Sequence, residues 1–310
     1  MSSYSNPSTS PGQDLKKKAS SGKTKRMKSD TGSPVTIAMV SELLFRKEQQ
    51  STGPALLFVK ALKAVNAKLE ELYPKSKELF KVLLIGDSSS DSLNKAIRDH
   101  ELEELITVLD VSDEDLISEL QRTNTHLYLS TEPGLNKVQE ALSQGIAAAI
   151  MKSPENIEQT EEGQLRVVFD GDAVLFSNES EKVFKRGLKA YLNNEQENVE
   201  IPMEEGPFKS FLEVLERLKM KLQEKGLYRN CPIRTYLVTS RGAGSDGYRA
   251  LNSLRMWGLE VDEAVFLGGT KKGPTLEKIH PHIFFDDQQS HINAALEVGT
   301  VACLVPINSD

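Results

Sequence analysis

From Ser33 onward, short apolar runs alternate with segments whose apolar positions recur at helical spacing. Val35–Val40 and the run at 81–85 read as strands. Between them a helix is predicted over 54–72, with Leu57, Val59, Leu62, Val65, Leu69 and Leu72 near one face. Further strands are predicted over 105–111 and 126–129, and a helix over 135–150. This alternation predicts an α/β fold with a doubly wound, mainly parallel sheet.

The second part of the chain repeats the rhythm. Gly53-Pro54, an amphipathic segment and Val82-Leu83-Leu84-Ile85 match Gly206-Pro207, a helix through Leu222 and Tyr236-Leu237-Val238. The run 35–45 ends in Leu44-Phe45 as 167–176 ends in Leu175-Phe176. His126-Leu127-Tyr128-Leu129 matches His282-Ile283-Phe284-Phe285. Two Rossmann-like halves are expected, over 33–155 and 156–310. In this alignment Met39 stands at the place of Asp170, Ser41 at that of Asp172, Gly86 at that of Thr239, and Ser130-Thr131 at that of Asp286-Asp287. The first half thus reads as a degenerate copy without the carboxylates. Between 177 and 205 a polar stretch carries a short helical pattern at Val183, Phe184, Leu188, Tyr191 and Leu192. It reads either as a cap-type insertion or as a plain surface excursion.

The chemistry gathers at strand ends. In Val167-Val168-Phe169-Asp170-Gly171-Asp172-Ala173-Val174-Leu175-Phe176 an apolar run stops at two acids and resumes. A buried parallel strand would present Asp170 and Asp172 at its C-terminal end, where such sheets bind ligands. A hairpin turning at Asp170-Gly171 is the competing reading. Two later runs end similarly, Tyr236-Leu237-Val238 in Thr239-Ser240 and Ile283-Phe284-Phe285 in Asp286-Asp287. Carboxylates brought together there would repel by about 4 kcal/mol per close pair at an effective dielectric of ~20. A divalent cation removes that cost, and all-oxygen ligands select a hard ion, Mg²⁺ first.

With these motifs assembled, the chain resembles the haloacid dehalogenase superfamily, whose first motif reads Asp-x-Asp-x-Thr/Val, here Asp170-Gly171-Asp172-Ala173-Val174. More narrowly it is similar to the cytosolic 5′-nucleotidase type I family, through 169–177, 235–239, Lys272-Gly273-Pro274 and 282–288. That resemblance implies a Mg²⁺-dependent hydrolase of nucleoside 5′-monophosphates, AMP favoured. Asp170 would be the nucleophile forming an aspartyl-phosphate, and Asp172 the acid and then the base. Thr239 would bind a phosphoryl oxygen, and Lys272, with Lys271 as a rival, would offset charge. Gly171 and Ser240 would line the substrate. Asp286 and Asp287 would hold the metal with Asp170 and the backbone carbonyl of Asp172.

Relatives carry a Thr/Ser-Asn-type motif where this chain has Gly86-Asp87-Ser88-Ser89, and a Thr-Gly-Gly-type stretch where it has Leu109-Asp110-Val111-Ser112-Asp113. Altered nucleoside recognition or regulation is the expectation there. The alternatives are a nucleotide-binding paralogue with little turnover, or a phosphatase for another small monoester. A regulatory nucleotide and a homo-oligomer are left open as partners.

Charge and composition narrow the picture. A net charge of −7 over 310 residues argues against a folded body built to hold nucleic acid. The basic, Ser-, Pro- and Gly-rich stretch over 1–32 reads as a disordered tail, with Lys16-Lys17-Lys18 and Lys23-Thr24-Lys25-Arg26 as a solubilising or import patch. No run reaches the length of a membrane span or a secretory core, and Cys231 and Cys303 fit reduced thiols in a cytoplasmic protein. Gly242-Ala243-Gly244-Ser245-Asp246-Gly247 forms a GxGxxG, a weak dinucleotide signal or a loop approaching phosphate. His280-Pro281-His282 lacks partners for a zinc set and reads as a strand entrance. Phe176, Tyr191 and Phe208 are candidates to meet a base, and Trp257 reads as core.

Overall fold

The computed structural model describes residues 32–45, 52–157 and 163–307. The basic patches of the N-terminal stretch lie outside them. The first strands are β1 (Val35–Val40), β2 (Phe80–Ile85), β3 (Ile106–Leu109), β4 (Thr125–Ser130) and β5 (Ala147–Lys152). Then come β6 (Leu165–Phe169), β7 (Ile233–Thr239), β8 (Glu263–Phe266), β9 (Ile283–Asp286) and β10 (Ala302–Leu304). Among the described residues they form one sheet in the order β3-β2-β1-β4-β5-β10-β9-β6-β7-β8. Every pairing is parallel except β5 with β10, where Ile150, Met151 and Lys152 meet Leu304, Cys303 and Ala302 antiparallel.

The sheet is thus a mixed, mostly parallel one, and the hairpin at Asp170-Gly171 is not formed. β6 pairs in parallel with both β7 and β9, and the chain after Asp170 coils into a tight turn over Gly171–Leu175. The helix predicted over 135–150 is shorter, and its second part is β5. Helix α4 (Leu135–Ser143) ends at Gly145, whose φ of +76° glycine adopts freely. Ala147-Ala148-Ala149-Ile150 has no helix-breaking residue, so spacing alone did not separate it from the helix.

Helices cover both faces. On one side α1 (Leu56–Leu72), α2 (Asp91–Asp99), α7 (Lys209–Gln223) and α8 (Ser245–Trp257) close a single core running the width of the sheet, from Phe58 and Ile37 to Phe169, Phe211 and Leu254. On the other, α3 (Leu116–Arg122) and α4 cover Ala38, Leu83 and Tyr128. There α9 (Gly273–Ile279) and α10 (Gln289–Glu297) separately cover Val168, Val238 and Phe284. The segment 177–205 carries α5 (Glu179–Phe184) and α6 (Leu188–Glu197), and it returns where it left, at a bridge between Phe176 and Glu205. Both cysteines are buried free thiols. No helix among the described residues is long and apolar enough to cross a membrane.

Outward from the antiparallel joint the strands read β5-β4-β1-β2-β3 one way and β10-β9-β6-β7-β8 the other. Hydrogen bonds correspond too. Thr36 N donates to His126 Nδ1 as Arg166 N donates to His282 Nδ1. Gly53 N reaches Leu44 O as Gly206 N reaches Leu175 O. These bonds superpose Thr36 on Arg166, and so Val40 rather than Met39 on Asp170, one place from the sequence register. The slip arises between Asp170 and Val174, where the second loop holds one more residue and Ala173 takes a φ of +60°. Because the joint is antiparallel, the C-terminal ends of β1, β2 and β4 open at the opposite edge from those of β6, β7 and β9. Gly86-Asp87-Ser88-Ser89, following β2, accordingly lies away from Asp170 and does not line its edge.

Candidate active site

Three parallel strands ending at one edge bring the acids together. Asp170 follows β6, Thr239 closes β7 and Asp286 closes β9. Phe169, stacked on Phe285 at 5.6 Å between ring centroids, fixes β6 against β9 directly beneath the acids. Lys272, just before α9, is wholly buried and places Nζ 2.6 Å from Asp170 Oδ1 and 2.6 Å from Asp286 Oδ2. Lys271 is exposed, so Lys272 is the lysine at the acids.

Asp170 Oδ1 also accepts a 2.7 Å bond from Gly171 N. Thr239 is buried beside Gly171, where a Cβ would lie 3.2 Å from Thr239 Oγ1, so glycine lets the loop pass the hydroxyl closely. Ser240 is half-buried, and its backbone carbonyl accepts from Gly269 N.

The electrostatics are those of a site short of positive charge. Burial pushes the Asp170 carboxyl up to about 7, against Lys272 and with help from the Asp286 charge. Asp286 is buried as well, yet His291 and Lys272 hold it below the ordinary range. One lysine serves two carboxylates, and His291 Nδ1 gives Asp286 a second partner at 3.0 Å. Lys272 is itself buried, but the two acids hold its ammonium above the usual value. Asp287 is pushed up to about 9 by burial and by Asp170, Glu181 and Asp286, and its Oδ1 is buried without a hydrogen-bond partner.

These residues fit a hard divalent cation. Ligand atoms of Asp170, Asp286 and His291 lie within 4.8 Å of one another, and Asp287, next in the chain after Asp286, carries a buried oxygen without a hydrogen-bond partner. Asp172 is placed differently from the other acids, because its carboxylate is taken by Arg241, Nε to Oδ2 at 2.9 Å and Nη2 to Oδ1 at 2.7 Å.

A pH effect follows from Asp287. Its folded-state value lies above the 3.8 of an ordinary aspartate, so the stability it permits is full below about 4 and is lost as pH rises toward 9. In EDTA at pH 8, Asp287→Asn is expected to melt a few degrees higher than wild type, and the rise in melting temperature that Mg²⁺ gives the wild type should shrink in the variant. Equal melting curves at pH 5 and pH 8 in EDTA would contradict this.

The comparisons with known proteins agree with this geometry. The 5′-nucleotidase family model matches residues 43–310. The chain belongs to the 5′-nucleotidase family. It is 44% identical to human cytosolic 5′-nucleotidase 1B over 255 residues, covering 81% of this chain and 41% of that relative. The chain therefore spans about two fifths of the length of the curated relative it matches.

Within this family member, Arg241 and two further groups at the site escaped the sequence reading. His291 sits in the first turn of α10, with Nδ1 3.0 Å from Asp286 Oδ1. A histidine five residues after the strand-ending Asp286 is the signal that could have found it. Glu181 enters from α5 and accepts from Gln288 Nε2 at 3.2 Å, its carboxyl raised by burial and by the Asp172 charge.

Other expectations resolve into packing. In the glycine-rich loop Asp246 accepts from Gly242 N at 2.7 Å, and a Cβ on Gly247 would lie 2.3 Å from Gly242 O. The glycines close the loop on itself. Phe176 lies against Trp257 and Phe208 against Phe285, all as core contacts, while the Tyr191 hydroxyl bonds to Asp246. His282, neutral and lowered to about 4 by burial, stands at the entrance of β9 and accepts from Arg166 N.

Proposed function

We propose that this chain is a Mg²⁺-dependent cytosolic 5′-nucleotidase that hydrolyses nucleoside 5′-monophosphates, AMP first among them, through an aspartyl-phosphate. The observation that carries the reading is the Lys272 ammonium set between Asp170 and Asp286 at a strand edge that Thr239 shares. Both hydrogen bonds to Asp170 described above fall on Oδ1, and Oδ2 is the oxygen we assign to attack.

In this scheme Asp172 takes up a proton as the substrate binds, Oδ2 bonds to phosphorus as the bond to the 5′-oxygen breaks, and Asp172 gives that proton to the departing alkoxide. Asp172, now a carboxylate, takes a proton from water as the water oxygen bonds to phosphorus and the bond to Asp170 breaks. Phosphate is released and both acids return to their starting states. Thr239 Oγ1, Lys272 Nζ and the backbone N–H groups after Asp170 hold the phosphoryl oxygens. Asp170, Asp286 and Asp287, with the backbone carbonyl of Asp172, would hold Mg²⁺, which supplies positive charge against the acids and the phosphoryl group. Gly171 and Ser240 line the approach.

We take residues 33–155 as a copy of 156–310 that lacks the carboxylates, and 177–205 as a cap over the edge. The corresponding strand orders and hydrogen bonds support the first reading, and Glu181 reaching Gln288 supports the second.

Phosphate release from AMP and from a panel of nucleoside and sugar monophosphates, with Mg²⁺ or with EDTA, tests the function. Release from nucleotides that EDTA stops is the expected result. Preferential release from sugar phosphates, or no release from any of them, would overturn it.

A further inference from the structure

Arg241 stands one residue beyond the hydroxyls that close β7, and its side chain is 1% exposed. A guanidinium so completely withdrawn from water is stable only where its donors are satisfied. Here they are, by groups from different parts of the site. Nε and Nη2 grip both oxygens of Asp172. Nη1 donates to Glu195 Oε2 on α6 at 2.7 Å and to the carbonyl of Asp246 at 3.1 Å, and Nη2 donates also to Ser180 Oγ on α5 at 2.8 Å. Glu195 has no solvent exposure and is shared. Its Oε1 accepts from Ser180 Oγ at 2.8 Å and from Arg249 Nη1 at 3.1 Å, and Arg249 in turn reaches Glu179 on α5 at 2.7 Å.

We infer that Arg241 is a positioning residue that sets the orientation of the Asp172 carboxylate and ties it to the seating of α5 and α6. The inference rests on the acid and base role proposed for Asp172. Its basis is the two-point geometry. A fork gripping both oxygens fixes the plane of the carboxylate as well as its distance, which a single ammonium cannot do. Apart from the bond to the Asp246 carbonyl on α8, the other bonds of the same fork are anchored in the 177–205 segment, at Ser180, Glu195 and Met203, so a shift of that segment is transmitted to Asp172 through one rigid planar group. Among the described residues, the side chains that accept from this guanidinium are Asp172, Ser180, Glu195 and Met203, whose Sδ lies 2.9 Å from Nη2, and its central carbon lies 5.9 Å from the centroid of the Tyr191 ring.

The test exploits what Asp172 does. Proton donation matters for a poor leaving group such as a ribose 5′-oxygen and little for p-nitrophenolate, which leaves unprotonated. Arg241→Lys keeps the charge and loses the fork. On AMP it is expected to lower kcat about 10–100-fold with KM within about two-fold, while kcat/KM for p-nitrophenyl phosphate, which covers the steps up to the aspartyl-phosphate and not the base step both substrates share, falls less than about three-fold. Glu195→Gln, which loosens the anchor on α6 and leaves the grip on Asp172, should show the same pattern at about 3–10-fold, and it serves if the lysine variant does not fold.

Equal losses of kcat/KM on both substrates, a rise in KM with kcat retained, or unchanged kinetics in both variants would overturn the inference. The kcat-against-KM split decides alone if the aryl ester is not a substrate. Wild-type chain that releases no phosphate from AMP fails the nucleotidase reading itself, a result distinct from any of these.

Discussion

Asp170→Asn is expected to remove phosphate release from AMP, by at least ~10³–10⁴-fold, without loosening the fold. The amide keeps the shape of the carboxyl, and its oxygen can still accept from Gly171 N and Lys272 Nζ, but it cannot form the ester with phosphorus. The stability side follows from the environment of the group. Burial beside Asp286 pushes Asp170 up to about 7, so the folded state resists its ionisation. The contribution is full below the unfolded value near 3.8 and falls away as pH rises through 7. In EDTA at pH 8 the asparagine variant should melt no lower than wild type. Measuring phosphate release and melting on one preparation separates a lost nucleophile from a lost fold. Turnover within ten-fold of wild type would rule out covalent attack by this residue.

The second large effect belongs to Lys272. Among the described residues its ammonium is the one cation within 2.6 Å of both Asp170 and Asp286, and none of the three side chains is more than 6% exposed. Lys272→Met leaves the packing volume nearly filled and strands two carboxylates in a dry site. Removing one partner from a buried ion pair costs about 3–5 kcal/mol. For a chain of this size that corresponds to roughly 5–8 °C in melting temperature at pH 8 in EDTA. Mg²⁺ should recover part of the loss, because it supplies charge to the same acids, but it should not restore turnover. A methionine variant as stable as wild type in EDTA would show that the acids do not depend on this lysine for their burial.

The acids and Thr239 were legible because strands announce their ends, whereas Lys272, just before α9, came only through the family resemblance. An apolar run that stops at Asp170, at Thr239 or at Asp286 fixes both the element and the edge. What escaped was held by turns and helices. His291 and Glu181 reach the acids from the first turn of α10 and from α5, and no strand pattern points to such places. Arg241 escaped as well, since nothing local shows that a guanidinium between Thr239-Ser240 and the glycines will turn back to an acid 69 residues earlier. The register slip has a similar source. Leu44-Phe45 and Leu175-Phe176 were sound anchors, but Ala173 adds a residue between the strand and the anchor in one loop only. β5 was lost in α4 because Ala147-Ala148-Ala149 carries no signature of either element.

The antiparallel joint between β5 and β10 also governs how a second ligand would act. A molecule held where β1, β2 and β4 end sits on the far edge of the sheet, so it shares no contact with a nucleotide at Asp170. Influence from there is a matter of reciprocal linkage: it changes turnover only as far as it favours one seating of the strands over another, and substrate must then change its affinity by the same factor. The route is short. Ile150 on β5 pairs with Leu304, which pairs with Asp286, and Val305 N donates to the Asp286 carbonyl at 2.9 Å. A single strand separates the first half of the sheet from a carboxylate of the acidic site, so β10 is where the two edges would exchange information.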